Sequence, residues 1–181
     1  PYCIALLLQA VAGHTVSAVE VAIAAHTLLP NHAWAWTPAG APSSTGEGYG
    51  KIPTIPATAR CGTSLPGLIH ATQQLSRGKF CLLPLQTRHW EYGNAELWWL
   101  CQAHPEWQIV PVLNSHTSYF WGANLAPAEL FSYLNTGKIT PPAADWSVGH
   151  FALLGGWVSG KAARLFAIFD TYPQLGWQGL H

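Results

Sequence analysis

His150 and Asp170 stand at opposite ends of two hydrophobic runs, "GHFALLGGWV" over 149–158 and "RLFAIFDTY" over 164–172. An ionisable side chain among apolar strands is costly unless it is paired or hydrogen-bonded. Five residues containing glycine, "SGKAA", separate the runs and suit a hairpin. Antiparallel pairing then brings the two ends together, and a register that sets His150 against Asp170 centres the turn near residue 160. Directly opposed residues lie about 5–6 Å apart between Cα atoms, so the side chains meet. A carboxylate against an imidazole fixes the tautomer and orientation of a general base, as in a nucleophilic triad. The same pair also serves as a buried structural hydrogen bond with no chemistry.

A triad needs a nucleophile. Cys61 opens "CGTSLPGLIHATQQL", just ahead of an expected helix, and a helix N-terminus stabilises a thiolate. Cys3, in "PYCIALLLQAV", falls in the first turn of another helix. Cys81 and Cys101 lie inside an expected strand and helix, where a cysteine is ordinarily buried packing. Trp146, Trp157 and Tyr172 flank the His and Asp in sequence and are candidates to wall a substrate groove. Asn114, closing "VPVLN", is a candidate to present a polar group there, although ending a strand is the commoner use of asparagine. Nine histidines include no HxH, HExxH or Cys/His cluster at zinc spacing, so neither a metal nor a cofactor is expected. The chain has no GxSxG elbow, P-loop or GxGxxG fingerprint.

The elements that must hold these residues fall into a helical first half and a strand-rich second half. Helices are expected over "PYCIALLLQAVAG", with Gly13 as C-cap, and over "SAVEVAIAAHTLLP", where Ser17 and Glu20 have capping-box spacing and Pro30 stops a helix running to Leu29. Three more are expected over "TSLPGLIHATQQLS", "NAELWWLCQAH" and "APAELFSYLNTG". Residues 37–60 read as a long Pro/Gly/Ser loop, and strands are expected at "KFCLLPL", "WQIVPVLN" and the two runs above. Helices first and antiparallel strands later indicate an α+β fold.

At 181 residues the chain is of single-domain size. Eight basic residues balance eight acidic ones and only 9% of residues are charged, which leaves no basic stripe for nucleic acid and no polybasic membrane patch. No run is long enough for a membrane span. Four cysteines without CxxC spacing suit a reduced, cytoplasmic setting. Ten tryptophans are expected mainly in the core, with a remaining apolar surface open to a protein partner. A chain with no methionine that opens on Pro1 reads as a processed form or a fragment.

Over residues 148–173 the pattern resembles the papain-like cysteine peptidase superfamily, especially its compact bacterial branch of double-glycine leader peptidases and phytochelatin-synthase-like enzymes. "GHFALLGGW" matches the strand that begins with histidine, and "LFAIFDTYP" the hairpin return that ends in Asp or Asn. The run also looks like an uncharacterised bacterial family related to these peptidases. The resemblance implies a papain-like α+β domain over 1–181, its helical N-terminal half packed on a C-terminal antiparallel sheet. It further implies a cysteine peptidase, amidase or acyltransferase that acts on a peptide or protein through a Cys-His-Asp triad. Two departures stand out. No Gln lies shortly upstream of Cys61, where these peptidases keep an oxyanion donor; the nearest before it is Gln9. And "PYCIALLLQAV" looks like the remainder of a Cys-Gly-Pro helix start, which implies a nucleophile two residues ahead of Pro1. The nucleophile thus stays open between Cys61, Cys3, a residue upstream of Pro1, and none. With none, the chain is a papain-like binding or assembly protein that keeps the His–Asp pair.

Overall fold

The computed structural model describes residues 1–13, 15–31, 48–56, 60–85, 89–121, 125–141 and 147–170. Within them the fold is α+β, five helices and a three-stranded antiparallel sheet. Helix α1 (Tyr2–Ala12) ends at Gly13, whose φ of 63° is the left-handed cap that glycine adopts without strain. Helix α2 (Ala18–Ala24) begins with the expected capping box: Ser17 Oγ accepts from the Glu20 N–H while Glu20 accepts from the Ser17 N–H. It stops five residues short of Leu29. His26 turns left-handed at φ 53°, the His26 N–H donates to Ile23 and the Thr27 N–H to Ala22. These two bonds close a Schellman motif, with histidine in the place usually taken by glycine. The chain then enters β1 (Leu29–Pro30), which pairs in parallel with β2 (Thr54–Ile55).

Helix α3 (Leu65–Leu75) is capped by Ser64, which accepts from the Gly67 N–H. Its Leu68 and Ala71 are fully buried against Ile4 and Leu8 of α1 and Val21 of α2. Each large aliphatic side chain so buried contributes about 1.5–3 kcal/mol. Helix α4 (Trp90–Ala103) begins four residues earlier than its sequence pattern suggests, and α5 (Pro127–Thr136) ends at left-handed Gly137 as expected. Residues 79–85 form no strand. Pro84 cannot donate to a ladder, no described strand lies alongside, and Leu83 is left 71% exposed. Cys81 is accordingly exposed, not buried packing.

The sheet runs β3 (Val112–His116), β4 (Gly149–Ser159), β5 (Arg164–Phe169), with β4 in the centre. Alternation along β4 serves two cores. Phe151 and Leu153 pack toward α1, α2 and α3, while Ala152 and Leu154 join Phe120 and Ile168 on the other face. The tip of the β4–β5 hairpin rests on the end of α5, where the Ala162 and Ala163 N–H groups both donate to the Leu134 carbonyl. Tryptophan is not what fills these cores. Among the described residues Trp98, Trp99, Trp107 and Trp157 are 40–60% exposed, and the buried set is mainly aliphatic, with Phe120 its one large ring. No described helix is long and apolar enough to cross a membrane.

The C-cap of α2 lies tightly against α3 at Gly67, where a Cβ would run into the Ala25 carbonyl oxygen. Gly67→Ala should therefore lower unfolding stability by about 1–3 kcal/mol, although alanine is the better helix former by about 1 kcal/mol. Urea denaturation measures this, and an unchanged or higher midpoint would mean that the two helices do not meet so closely.

Candidate functional site

His150 is the second residue of β4 and is held from both sides. On β3, Ser115 pairs with His150 and His116 with Gly149. Just beyond that ladder the Thr117 N–H donates to the Val148 carbonyl (2.9 Å) and the Val148 N–H donates to Thr117 Oγ1 (3.0 Å). The Phe120 ring meets the imidazole edge-on with 6.3 Å between centroids. The start of β4 is thus fastened, and the ring on it has a defined orientation.

Asp170 follows β5 directly, and His150 Nε2 lies 2.9 Å from each of its carboxylate oxygens. The Asp170 side chain is 2% exposed and that of His150 19%, so the carboxylate is sealed off while the imidazole reaches solvent. The pair forms as the sequence suggests, but by a different register. Leu153 pairs with Phe169, which brings Asp170 level with Ala152 and makes it diagonal to His150, not opposite. The turn, Gly160–Ala163, lies later than expected, and from Ser159↔Arg164 to Gly156↔Ala167 the ladder would carry Asp170 level with Leu153, on the wrong face. A bulge between Leu154 and Gly156 recovers one residue and returns Asp170 to the face of His150. Gly155 permits it, since a Cβ there would strike the Phe169 ring.

His150 opens onto a cleft of about 480 Å³, which Cys61 also lines. Cys61 stands three residues ahead of the Ser64 cap, before α3 as the sequence suggests. Gly62 anchors it: the Leu28 N–H donates to the Gly62 carbonyl and the Gly62 N–H to that of Leu28 (3.2 and 2.8 Å). Next to this bridge the Thr27 and Thr63 hydroxyls share a 2.8 Å hydrogen bond. Gly62 has φ +106°, a conformation that other residues adopt only with strain.

Asn114 and the beginning of α1, Pro1 and Tyr2, line the same cleft. Cys3, one residue further along α1, is buried at 4% exposure. Burial pushes its thiol above the ordinary range, and the Asp170 carboxylate acts in the same direction. Trp157 is elsewhere. Seven residues of strand, about 23 Å at 3.3 Å each, separate it from His150. There it meets Trp98 edge-on at 5.3 Å and lines a smaller apolar cavity with half-buried Cys101. Trp146 and Tyr172 lie outside the described residues. Thr27, Thr63 and Gly149 complete the cleft without having been singled out in the sequence. Thr27 and Thr63 are separated by 36 positions, and no periodic or motif signal joins them.

One protein-family model matches residues 1–181. The chain belongs to that family, DUF6885, a family of unknown function. Searches of curated proteins and of solved structures each found no match. Among the described residues no group of three or more His, Cys, Asp or Glu could hold a metal ion.

With Asp170 on Nε2, neutral His150 should carry its proton there and keep Nδ1 as the basic nitrogen. Long-range ¹H–¹⁵N correlation spectra of the neutral ring should show one such tautomer. Asp170→Leu should give a mixture. Gly155→Val, which touches neither residue, should also loosen the lock by displacing Phe169; a single unchanged tautomer in both variants would show that the contact does not govern the ring.

Proposed function

We propose that this chain is a papain-like thiol peptidase or amidase, with Cys61 as nucleophile, His150 as general base and acid, and Asp170 as the group that orients the imidazole. The observation that carries this reading is the sealed Asp170–His150 pair at a cleft shared with a cysteine. In the first step His150 Nδ1 takes the thiol proton and the sulfur attacks the amide carbonyl carbon. The C–N bond then breaks, and the departing amine receives that proton from the imidazolium. Water, deprotonated by the same nitrogen, attacks the thioester, releases the acid and returns the thiol. An amine in place of water would make the same site an acyltransferase. Asn114, on the cleft wall, is suited to hydrogen-bond the substrate amide.

Cys3 does not suit the nucleophile role, because burial removes its thiol from solvent and pushes it up, away from the thiolate. A second reading is favoured by the position of the start of α1. Pro1 and Tyr2 line the cleft beside His150, so in a longer chain a thiol just ahead of Pro1 would enter it at a helix N-terminus. Cys61 would then be part of the cleft wall.

Iodoacetamide at pH 6 separates these readings, since an ordinary thiol near pKa 8.5 is under about 1% ionised there. Cys61 should label faster than Cys3, Cys81 and Cys101. His150→Ala should remove that advantage and reduce any amidase turnover by about 10²–10⁴-fold, with the fold retained. Cys3 should label only on unfolding. Labelling of Cys61 no faster than that of exposed Cys81 would sink the Cys61 reading. Fast labelling of a residue ahead of Pro1 in a longer chain would establish the second.

A further inference from the structure

Gly149 precedes His150 in β4, lines the cleft, and pairs with His116 on β3. Its φ is not left-handed, and a Cβ built on it would meet no atom of the described residues within 4 Å. Several described glycines have an internal reason: Gly13 and Gly137 cap helices, Gly67 admits the Ala25 carbonyl, and Gly155 yields to Phe169. Gly50 has open space as Gly149 does, but it lies in the short 3₁₀ turn Tyr49–Lys51 and does not line the cleft. Gly149 has neither a left-handed backbone nor, among the described residues, a neighbour to avoid. Glycine in a strand is destabilising by about 0.5–1 kcal/mol relative to alanine, and one of its recurrent uses is to let a ligand approach the backbone.

The missing side chain belongs to the sheet face of Phe151 and Asn114, which both line the cleft and lie opposite each other on β4 and β3. No Lys, Arg, Asp or Glu lines this cleft among the described residues; its wall includes Ala18, Ala22, Leu29 and Ile52. A charged side chain seated over Gly149 would lose hydration with no Lys, Arg, Asp or Glu side chain of the described wall to pair with. We infer that the space over Gly149 seats an uncharged, apolar side chain of a peptide substrate, next to the bond presented to His150, and that Gly149 sets how large that side chain can be. This deepens the proposed function and rests on it only for which bond is cut.

The test is binding to the full chain of blocked tetrapeptide amides that carry Leu, Glu or Lys at one position. It is followed by the backbone amide resonances of Gly149, His150 and Asn114. The Leu peptide should bind at least about 10-fold more tightly than the Glu and Lys peptides, the scale on which an apolar pocket discriminates. In the series Gly149→Ala, Gly149→Val and Gly149→Leu, affinity for the Leu peptide should fall stepwise while the melting temperature holds or rises. Equal binding of the three peptides, no binding by any, or a Gly149→Val protein that binds as wild type would each overturn the inference. Selective binding with a Cys61 inert to iodoacetamide would leave the inference standing and remove the thiol reading.

Discussion

The contact between His150 and Asp170 exists because β4 is one residue longer than its pairing with β5 requires. Side chains alternate faces along a strand, so a shift of one position would turn Asp170 away from the imidazole and into a different environment. The extra residue at Gly155 absorbs that shift in a bulge. The stretch "LLGGW" is therefore part of the site, although it lies several residues from His150 and does not line the cleft. A buried carboxylate that loses the imidazole loses the charge-assisted hydrogen bond that offsets its burial, and this couples the register of the hairpin to the ionic state of its end. The hairpin tip, resting on the end of α5 through the Leu134 carbonyl, holds that register from the other side.

Around this pair the fold assembles a cleft from ends of elements. The start of α1, the turn after α2, the strap before α3 and the first residues of β4 all meet there. Element ends suit such a site. Their backbone groups are not all used by regular ladders, and their side chains project past the packed faces. The two cores on either side of the sheet then act as a rigid mount, since Phe151 and Leu153 pack one way and Ala152 and Leu154 the other.

The His–Asp pair, the hairpin, the capping box at Ser17 and the glycine caps at Gly13 and Gly137 were all legible in the sequence, because each depends on residues close together in the chain. The exact pairing of Asp170 was not. A bulge is a compromise between two strands and the Phe169 ring, and "GG" alone does not say which strand carries the extra residue. Helix α2 was read too long because His26, not a glycine, takes the left-handed cap. "KFCLLPL" has strand composition but no partner, and composition cannot supply one. Composition points the tryptophans to the core, yet among the described residues mainly aliphatic side chains fill it and Trp98, Trp99, Trp107 and Trp157 stay partly outside. Trp157 failed as a cleft residue for the simplest reason: proximity to His150 in sequence becomes distance along an extended strand.

The two halves of the proposed catalytic pair are mounted differently. His150 sits in the central strand of the sheet, with ladder bonds on one side, a bulged partner on the other and an aromatic edge on its ring. Cys61 sits on an irregular strap that two backbone bonds at Gly62 and a threonine pair tie to the end of α2. The position of the base is thus set by the sheet, and that of the thiol by how α2 and α3 pack. Where those helices meet, Gly67 lies against Ala25, one turn into α3 and just before the His26 cap. A substitution that parts them should shift Gly62, and with it Cys61, more than His150 and Asp170, which the sheet ladders also hold. The separation of thiol from base is therefore governed from a position that lines no part of the cleft, and the integrity of the His–Asp pair alone does not report on it.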